Sequence, residues 1–479
     1  MEFNVKQFLK VACAKVLQEG EKKTFRGIST DSRSVKTDEL FFALKGPHFD
    51  GQAFCEAAVK QGATGIVVQK DQGQWTKDNG LKNKVPSPWS TVHSPFWVFQ
   101  VPDTLHALGD ITGWWRRQFN IPCVAITGSN GKTTTKEMIA SILATRFHVL
   151  KTEGNLNNLI GLPLTLSRLE KQHEAVVLEM GMNAAGEIRR LTEIAGPTIG
   201  VVTNAAAAHL KKLQTVEKVA EAKAELYAAM NPSGMAVYNA EDPNLSKKVQ
   251  TFKGEKIAFG MSSQNDICFE HMESAGFDFM ELKLSVRKKN LKARLQATGI
   301  HNVMNAMAAC GAALGLRFSI EEMQKGMEAF KPLKMRFEQI QLANGVRLVN
   351  DAYNANPVSM EAAFRAVGAA KRAGRFIAVL GDMKELGEKS SLLHQETGKK
   401  AVEYGVTRLF VIGDFAKDLA AGACRAAKES VKIMVAKNMK ELIGSVVREI
   451  RAGDVVLVKA SRAMQLEEVA EALREKFGI

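Results

Sequence analysis

The chain has 479 residues, well past the roughly 250–300 at which one hydrophobic core stops growing, so it is expected to fold as three domains. Its composition, 46% hydrophobic and 24% charged, is that of an ordinary globular protein and excludes a chain dominated by disorder. A net charge of +14 favours anionic partners, and phosphorylated small molecules meet that demand as well as nucleic acid does.

Near the N-terminus, Lys6, Lys10 and Lys15 interrupt the apolar residues before a signal-peptide core can form. No apolar run approaches membrane-spanning length, so a cytoplasmic protein without membrane insertion is expected. Residues 1–118 mix short apolar runs with turns, such as Phe41-Phe42-Ala43-Leu44 before Gly46-Pro47, and read as a smaller mixed α/β domain. Within it, 71–94 is rich in Gly, Asn, Pro, Ser and Lys and reads as a surface loop.

The texture changes at Ile121. Pro122-Cys123-Val124-Ala125-Ile126 is strand-like, Thr127-Gly128-Ser129-Asn130-Gly131-Lys132-Thr133-Thr134 follows, and Met138, Ile139, Ile142 and Leu143 then recur at helical spacing. A glycine-rich turn between a strand and a helix suits a phosphate: glycines let backbone amides approach the oxygens, and the helix N-terminus adds partial positive charge. Lys132 supplies a cation for the β and γ phosphates, and Thr133 can place its hydroxyl on Mg²⁺. Where the general phosphate-loop pattern has its first glycine stands Ile126, so this is a compact G-x-x-G-K-T variant.

Buried-strand candidates at 175–178 and 199–203, with a helical stretch between them, predict a mainly parallel sheet for a central domain over 119–332. Glu179 closes the first of these strands, where a carboxylate needs a cation or donors, so metal ligand and structural salt bridge are both open. His209 on its own reads as a core histidine, and Lys223 lies in a helical run over 219–230, where a plain solvated lysine is the alternative to a metal-site role. Arg287-Lys288-Lys289 lies between two alternating segments, which favours a solvated hairpin tip over a nucleic-acid patch. From 333 to 479, apolar runs at 376–380, 409–412 and 455–458 alternate with helical segments in a Rossmann-like pattern. Ligands are expected beyond the carboxyl ends of such strands. The six cysteines, at positions 13, 55, 123, 268, 310 and 424, form no C-x-x-C pair and read as small buried apolar residues in a reducing compartment.

The compact loop resembles that of the Mur ligases and the related folylpolyglutamate synthetases, and further motifs extend the Mur resemblance over nearly the whole chain. They are Glu153-Gly154-Asn155-Leu156-Asn157-Asn158, Leu178-Glu179-Met180-Gly181, the stretch from Thr203-Asn204 to His209, Gly299-Ile300-His301-Asn302, Lys334-Met335-Arg336-Phe337-Glu338 and Asn350-Asp351-Ala352-Tyr353-Asn354-Ala355-Asn356-Pro357. The resemblance implies ATP as co-substrate and two Mg²⁺ ions held by Thr133, Glu179, His209 and Lys223, the lysine being carbamylated. It implies that Asn302 meets adenine, although locally Asn302 could equally cap a helix, and that Arg336 and Asp351 belong to the ATP site. Ser29, Asp31, Ser32, Arg33, Lys45 and Asp50, with Asn155, Asn157 and Asn158, are similar to the family's site for a uridine-diphosphate substrate. The D-x-Y-N-A-N-P form resembles that of family members that add D-alanyl-D-alanine, which implies a dipeptide site at Tyr353, Asn354, Asn356, Lys459 and Ser461. Gly381-Asp382-Met383-Lys384 with His394 completes that signature.

The implied activity is an ATP-dependent ligase in which Lys132, His209, Lys223 and Arg336 serve an acyl-phosphate route. The acceptor would be UDP-N-acetylmuramoyl-tripeptide, and the product a peptidoglycan precursor. A monomer with small-molecule substrates and no nucleic-acid partner is expected.

Overall fold

The structure is a computed structural model that describes residues 1–46, 49–70, 95–208, 210–274, 276–371, 374–427 and 431–478. The loop expected at 71–94, and His209, lie outside the described residues. By compactness the chain divides into one unit of Met1–Cys123, Leu150–Met180 and Arg189–Gly196, and another of Val124–Val149, Gly181–Ile188 and Pro197–Ile479.

In the first unit five strands lie in the order Lys15–Gln18, Trp97–Val101, Gly65–Gln69, Leu40–Phe42, Ile28–Ser29. Only the first pair is antiparallel. Neighbouring side chains alternate between faces, so Phe42 and Val67 join Phe8, Phe25 and Phe99 in one core while Phe41 and Ile66 join Val35 and Ala58 in another. Each such ring contributes about 1.5–3 kcal/mol by leaving water. Ile28–Ser29 and Leu40–Phe42 run parallel, so the residues that follow each strand emerge at the same edge of the sheet. The helix Gly161–Ser167 lies against Ile28–Ser29, and its Leu164 packs on the aromatic core.

The second unit holds two sheets. In one, Cys123–Thr127, Ile199–Val202, Met235–Asn239, Glu255–Gly260 and Ile267–Ser274 are successive parallel neighbours. The antiparallel hairpin Met280–Val286 and Lys289–Leu295 extends it. Its tip is the expected one: Arg287 and Lys288 take φ of 44° and 67°, and the Arg287 guanidinium is engaged by Asp266 at 3.1 Å and Glu255 at 2.9 Å. The other sheet runs Glu338–Gln341, Arg347–Asn350, Val455–Lys459, Phe376–Leu380, Val406–Val411, Lys432–Val435. All its neighbours after the first pair are parallel. Val349, Ala378 and Leu409 face one core, Leu348, Ile377 and Phe410 the other, the double burial that makes parallel strands read as unbroken apolar runs.

The cysteine expectation is corrected at two positions. Cys55, Cys123, Cys268 and Cys310 are buried, but Cys13 and Cys424 are exposed. Among the described residues no helix is long and apolar enough to cross a membrane.

Candidate active site

The phosphate loop leaves the strand Cys123–Thr127 and enters the helix Lys132–Leu143, as its sequence predicts. Gly128 and Gly131 hold φ of 151° and 79°. Neither could carry a side chain: a Cβ on Gly128 would lie 1.9 Å from Thr203 Oγ1, and one on Gly131 would lie 2.1 Å from Asn305 Oδ1. Asn204 clamps the turn, since its Oδ1 accepts from the Asn130 N–H at 3.0 Å and its Nδ2 donates to the Asn130 carbonyl at 3.1 Å. The Ser129 N–H donates to the Asn204 carbonyl at 2.9 Å, and Thr203 Oγ1 donates to the Asn130 carbonyl at 2.6 Å. The Lys132 ammonium folds back to donate to the Gly128 carbonyl at 2.7 Å. Thr133 is buried in the first turn of the helix, and Thr134 is half-buried beside it.

Lys223 is not a solvated lysine. It sits in the helix Val216–Ala229 with 1% of its surface exposed. Burial, followed by the charge of Lys132, pushes its ammonium well below the ordinary lysine range. Asn302 does not cap its helix either. The helix Ile300–Gly315 starts after Gly299, and the buried Asn302 side chain donates to the Thr298 carbonyl at 2.9 Å while accepting from Asn305 Nδ2 at 3.1 Å. Through Asn305 this network reaches Gly131. His301 beside it is half-buried, and desolvation pulls its imidazole down to about 4, so it is neutral at pH 7.

The motif at 350–357 forms a turn tied to the end of the strand Val455–Lys459. The Lys459 ammonium, itself buried, bonds Asp351 Oδ2 at 2.5 Å and the Asn354 carbonyl at 3.0 Å. Asp351 Oδ1 accepts from the Phe337 N–H at 3.0 Å. Arg336 stacks over the Tyr353 ring at 4.0 Å, between Met335 and Phe337 at φ of 57° and 55°. Two left-handed residues that are not glycine, one on each side of Arg336, mark a loop held in an uncommon conformation around that guanidinium. Ser461 Oγ accepts from the Lys384 N–H at 2.9 Å. Asn356 caps the helix Pro357–Ala370, accepting from the Ser359 N–H at 2.9 Å, and its Nδ2 donates to Asn130 Oδ1 at 2.7 Å. The loop and the turn are therefore joined directly.

In the other unit Glu179 ends the strand Ala175–Glu179 with 2% of its surface exposed. Its Oε1 accepts from Asn157 Nδ2 at 2.8 Å, and its Oε2 is enclosed with no hydrogen-bond partner among the described residues. A buried carboxylate oxygen without a donor is costly, and a divalent cation is what its charge and lone pairs suit. Asn158 Oδ1 accepts from the Ile160 and Gly161 N–H groups, and the Asn157 N–H bonds the Asn155 carbonyl. At the edge beyond Ile28–Ser29, the Ser29 hydroxyl donates to the Asp31 carbonyl and Arg33 binds the Asp31 carboxylate through Nε at 2.9 Å and a terminal nitrogen at 2.7 Å. Ser32 is half-buried in this turn. Lys45 and Asp50 face each other in the short ladder Lys45–Gly46 with Phe49–Asp50.

Sequence reasoning missed the brace. Thr203, Asn204 and Asn305 hold the loop from positions some 74 and 170 residues away along the chain. The one available signal was a Thr-Asn pair at the carboxyl end of a parallel strand.

Comparison with known proteins agrees with this layout. The Mur ligase middle domain matches residues 126–313, the glutamate ligase domain of Mur ligases 335–462, and the Mur ligase family catalytic domain 24–95. The UDP-N-acetylmuramoyl-tripeptide--D-alanyl-D-alanine ligase of Bacillus subtilis (strain 168) is 34% identical over 457 residues, covering 95% of this chain and 94% of that protein. The Escherichia coli (strain K12) protein of the same name is 31% identical over 465 residues, 95% of each. Among solved structures, a MurF from Acinetobacter baumannii superposes with a TM-score of 0.87 at 28% identity over 99% of each chain. The Thermotoga maritima MurF ligase in complex with ADP gives 0.81 at 27% identity over 94% of this chain and 97% of that one.

Proposed function

Because the chain belongs to the Mur ligase family, with its three-domain α/β fold, we infer that it is the ATP-dependent ligase joining D-alanyl-D-alanine to UDP-N-acetylmuramoyl-tripeptide. The observation that carries this reading is the contact from Asn130 of the phosphate loop to Asn356 of the D-x-Y-N-A-N-P turn, which sets the ATP end beside the amine end. An oxygen of the tripeptide's terminal carboxylate attacks the γ phosphorus of ATP, the bond to the bridging oxygen breaks, and ADP leaves. The dipeptide's neutral amine then attacks the acyl carbon, phosphate departs with the acyl oxygen, and the nitrogen sheds a proton. Lys132, once released from the Gly128 carbonyl, neutralises the transferring oxygens, and Arg336 adds a second cation. The fixed loop and turn contribute by positioning.

Glu179, Thr133, His209 and Lys223 would hold Mg²⁺, and the unpartnered Glu179 oxygen fits that assignment. The metal, when bound, supplies charge neutralisation on phosphate oxygens. Burial at Lys223 disfavours the charged ammonium, and an amine so placed is suited to carbamylation, which would turn it into an oxygen ligand. The remaining assignments are Asn302 to adenine, Asp351 to the ATP site, and Tyr353, Asn354, Asn356, Lys459 and Ser461 to the dipeptide. The nine polar residues from Ser29 to Asn158 go to the uridine-diphosphate substrate. The domains are assigned to 1–118, 119–332 and 333–479, in keeping with where the sheets begin and end. The enzyme works in the cytoplasm as a monomer.

A phosphate-release assay tests the reading. The purified chain, ATP, Mg²⁺ and UDP-N-acetylmuramoyl-tripeptide, with lysine or diaminopimelate as third residue, should release phosphate on addition of D-alanyl-D-alanine and not of single amino acids. Release with a single amino acid and none with the dipeptide would move the chain to another branch of the family.

A further inference from the structure

The contact between the loop and the turn contains more than proximity. Asn356 cannot choose its orientation freely, because its Oδ1 is fixed by capping the helix Pro357–Ala370, which leaves Nδ2 as the group that points away from the cap. Asn130 must then present Oδ1 to that donor, and does so at 2.7 Å. The backbone of Asn130 is held in turn by Asn204 on both its N–H and its carbonyl. Asn204 thus fixes the backbone of Asn130, while the helix cap, through Asn356, fixes the orientation of its side chain.

One group of Asn130 is left over. Asn130 Nδ2 is enclosed and meets no acceptor among the described residues. An unpaired buried donor is unfavourable, so stability of the loop alone does not account for the arrangement. A phosphoryl oxygen in the loop is the acceptor this donor lacks.

Resting on the function assigned above, we propose that Asn130 and Asn356 are a pair of positioning residues that couple the two half-reactions. Asn130 takes its bearing from the amine turn through Oδ1 and offers Nδ2 to the phosphoryl group being transferred. A loop correctly filled by ATP then fixes the turn that receives the dipeptide, and the amine meets an acyl phosphate whose oxygens are already oriented. The pair therefore acts on the efficiency with which dipeptide is used, rather than on affinity for the uridine-diphosphate substrate.

The test is a double-mutant cycle on the full chain with Asn356→Ser, Asn130→Ser and the double variant. Serine at 356 still caps the helix but falls short of Asn130, so melting temperature should hold. Serine at 130 leaves the cap untouched and carries the test by itself if the first variant proves unstable. Asn356→Ser is expected to lower kcat/KM for D-alanyl-D-alanine about tenfold and Asn130→Ser, which also removes the Nδ2 donor, at least as much, with KM for the muramoyl tripeptide unchanged, and the double variant to match Asn130→Ser, in which the contact between the two side chains is already lost. Losses that multiply in the double variant, or single variants with wild-type dipeptide kinetics, would overturn the coupling. A wild-type chain that releases no phosphate with the dipeptide would instead overturn the assigned function, so the two failures are distinguishable.

Discussion

The phosphate loop and the polar turn at 29–33 are both short runs of small polar residues beyond a parallel strand, yet they are built differently. The loop is held by residues remote in sequence: Asn204 clamps it, Thr203 and Asn305 occupy the space above its glycines, and Asn356 meets it from the amine turn. The turn is held by itself, through Ser29 to Asp31 and Arg33 to Asp31, with the Arg33 side chain 87% exposed. A site fixed by tertiary contacts can orient a reacting phosphoryl group, whereas a self-contained surface turn suits recognition of a substrate part that does not react. Substitutions in the first region should therefore cost turnover or folding, and those in the second mainly binding.

The largest effect is expected at Lys132. Lys132→Ala removes the loop's ammonium and should lower kcat by about 10²–10³-fold or more, while losing its bond to Gly128 costs stability only about 1 kcal/mol. Circular dichroism and a phosphate-release assay on the same sample separate the two, and full turnover would take this lysine out of the chemistry. Lys459→Met comes next, in the currency of folding. Its side chain is 3% exposed and that of Asp351 17%, so an unpaired carboxylate would be left largely enclosed, at about 3–5 kcal/mol in urea unfolding. Adding Asp351→Asn should recover part of that loss, and no recovery would mean that the pair is not what holds the turn. Asn204→Ala is expected to cost about 1–3 kcal/mol and to raise KM for ATP about tenfold, because the loop loses both bonds to Asn130. An unchanged KM would show that the loop keeps its shape without the clamp.

The same contrast explains what could be read from the sequence. The strand, loop and helix at 123–143 were legible because a phosphate loop is local: glycines, a lysine and apolar periodicity within some twenty residues. The six-stranded sheet was legible because strands buried on both faces leave unbroken apolar runs such as Phe376–Leu380. The brace was not legible, since nothing local to Asn204 or Asn305 says that it will meet residue 130 or 131. Burial was the harder property to read: Cys13 and Cys424 looked apolar and are exposed, and at Lys223 the enclosed side chain removes the solvated alternative. At Asn302 the residue type suited a cap, but the helix begins two residues earlier, so its amide is used inside the fold.

The smallest effect, and the sharpest check on the self-contained turn, is the titration of Asp31. Arg33 holds its carboxyl down to about 2 from an ordinary 3.8, first through the guanidinium and then through its backbone N–H. Because the folded value lies below the unfolded one, the stabilising contribution is complete above about pH 4 and is lost as pH falls toward 2. The Asp31 side chain is 42% exposed and that of Arg33 87%, so salt screens the pair and the melting temperature at neutral pH should barely register Arg33→Ala. The carboxyl midpoint followed by NMR should register it. Losing the guanidinium raises that midpoint, but the backbone N–H at 3.0 Å remains, so the shift should stop short of 3.8. A midpoint that does not move would mean that Arg33 is not what holds Asp31. One that rises only part-way, alongside a higher KM for the uridine-diphosphate substrate and an unchanged kcat, is the behaviour expected of a turn that binds without taking part in bond making.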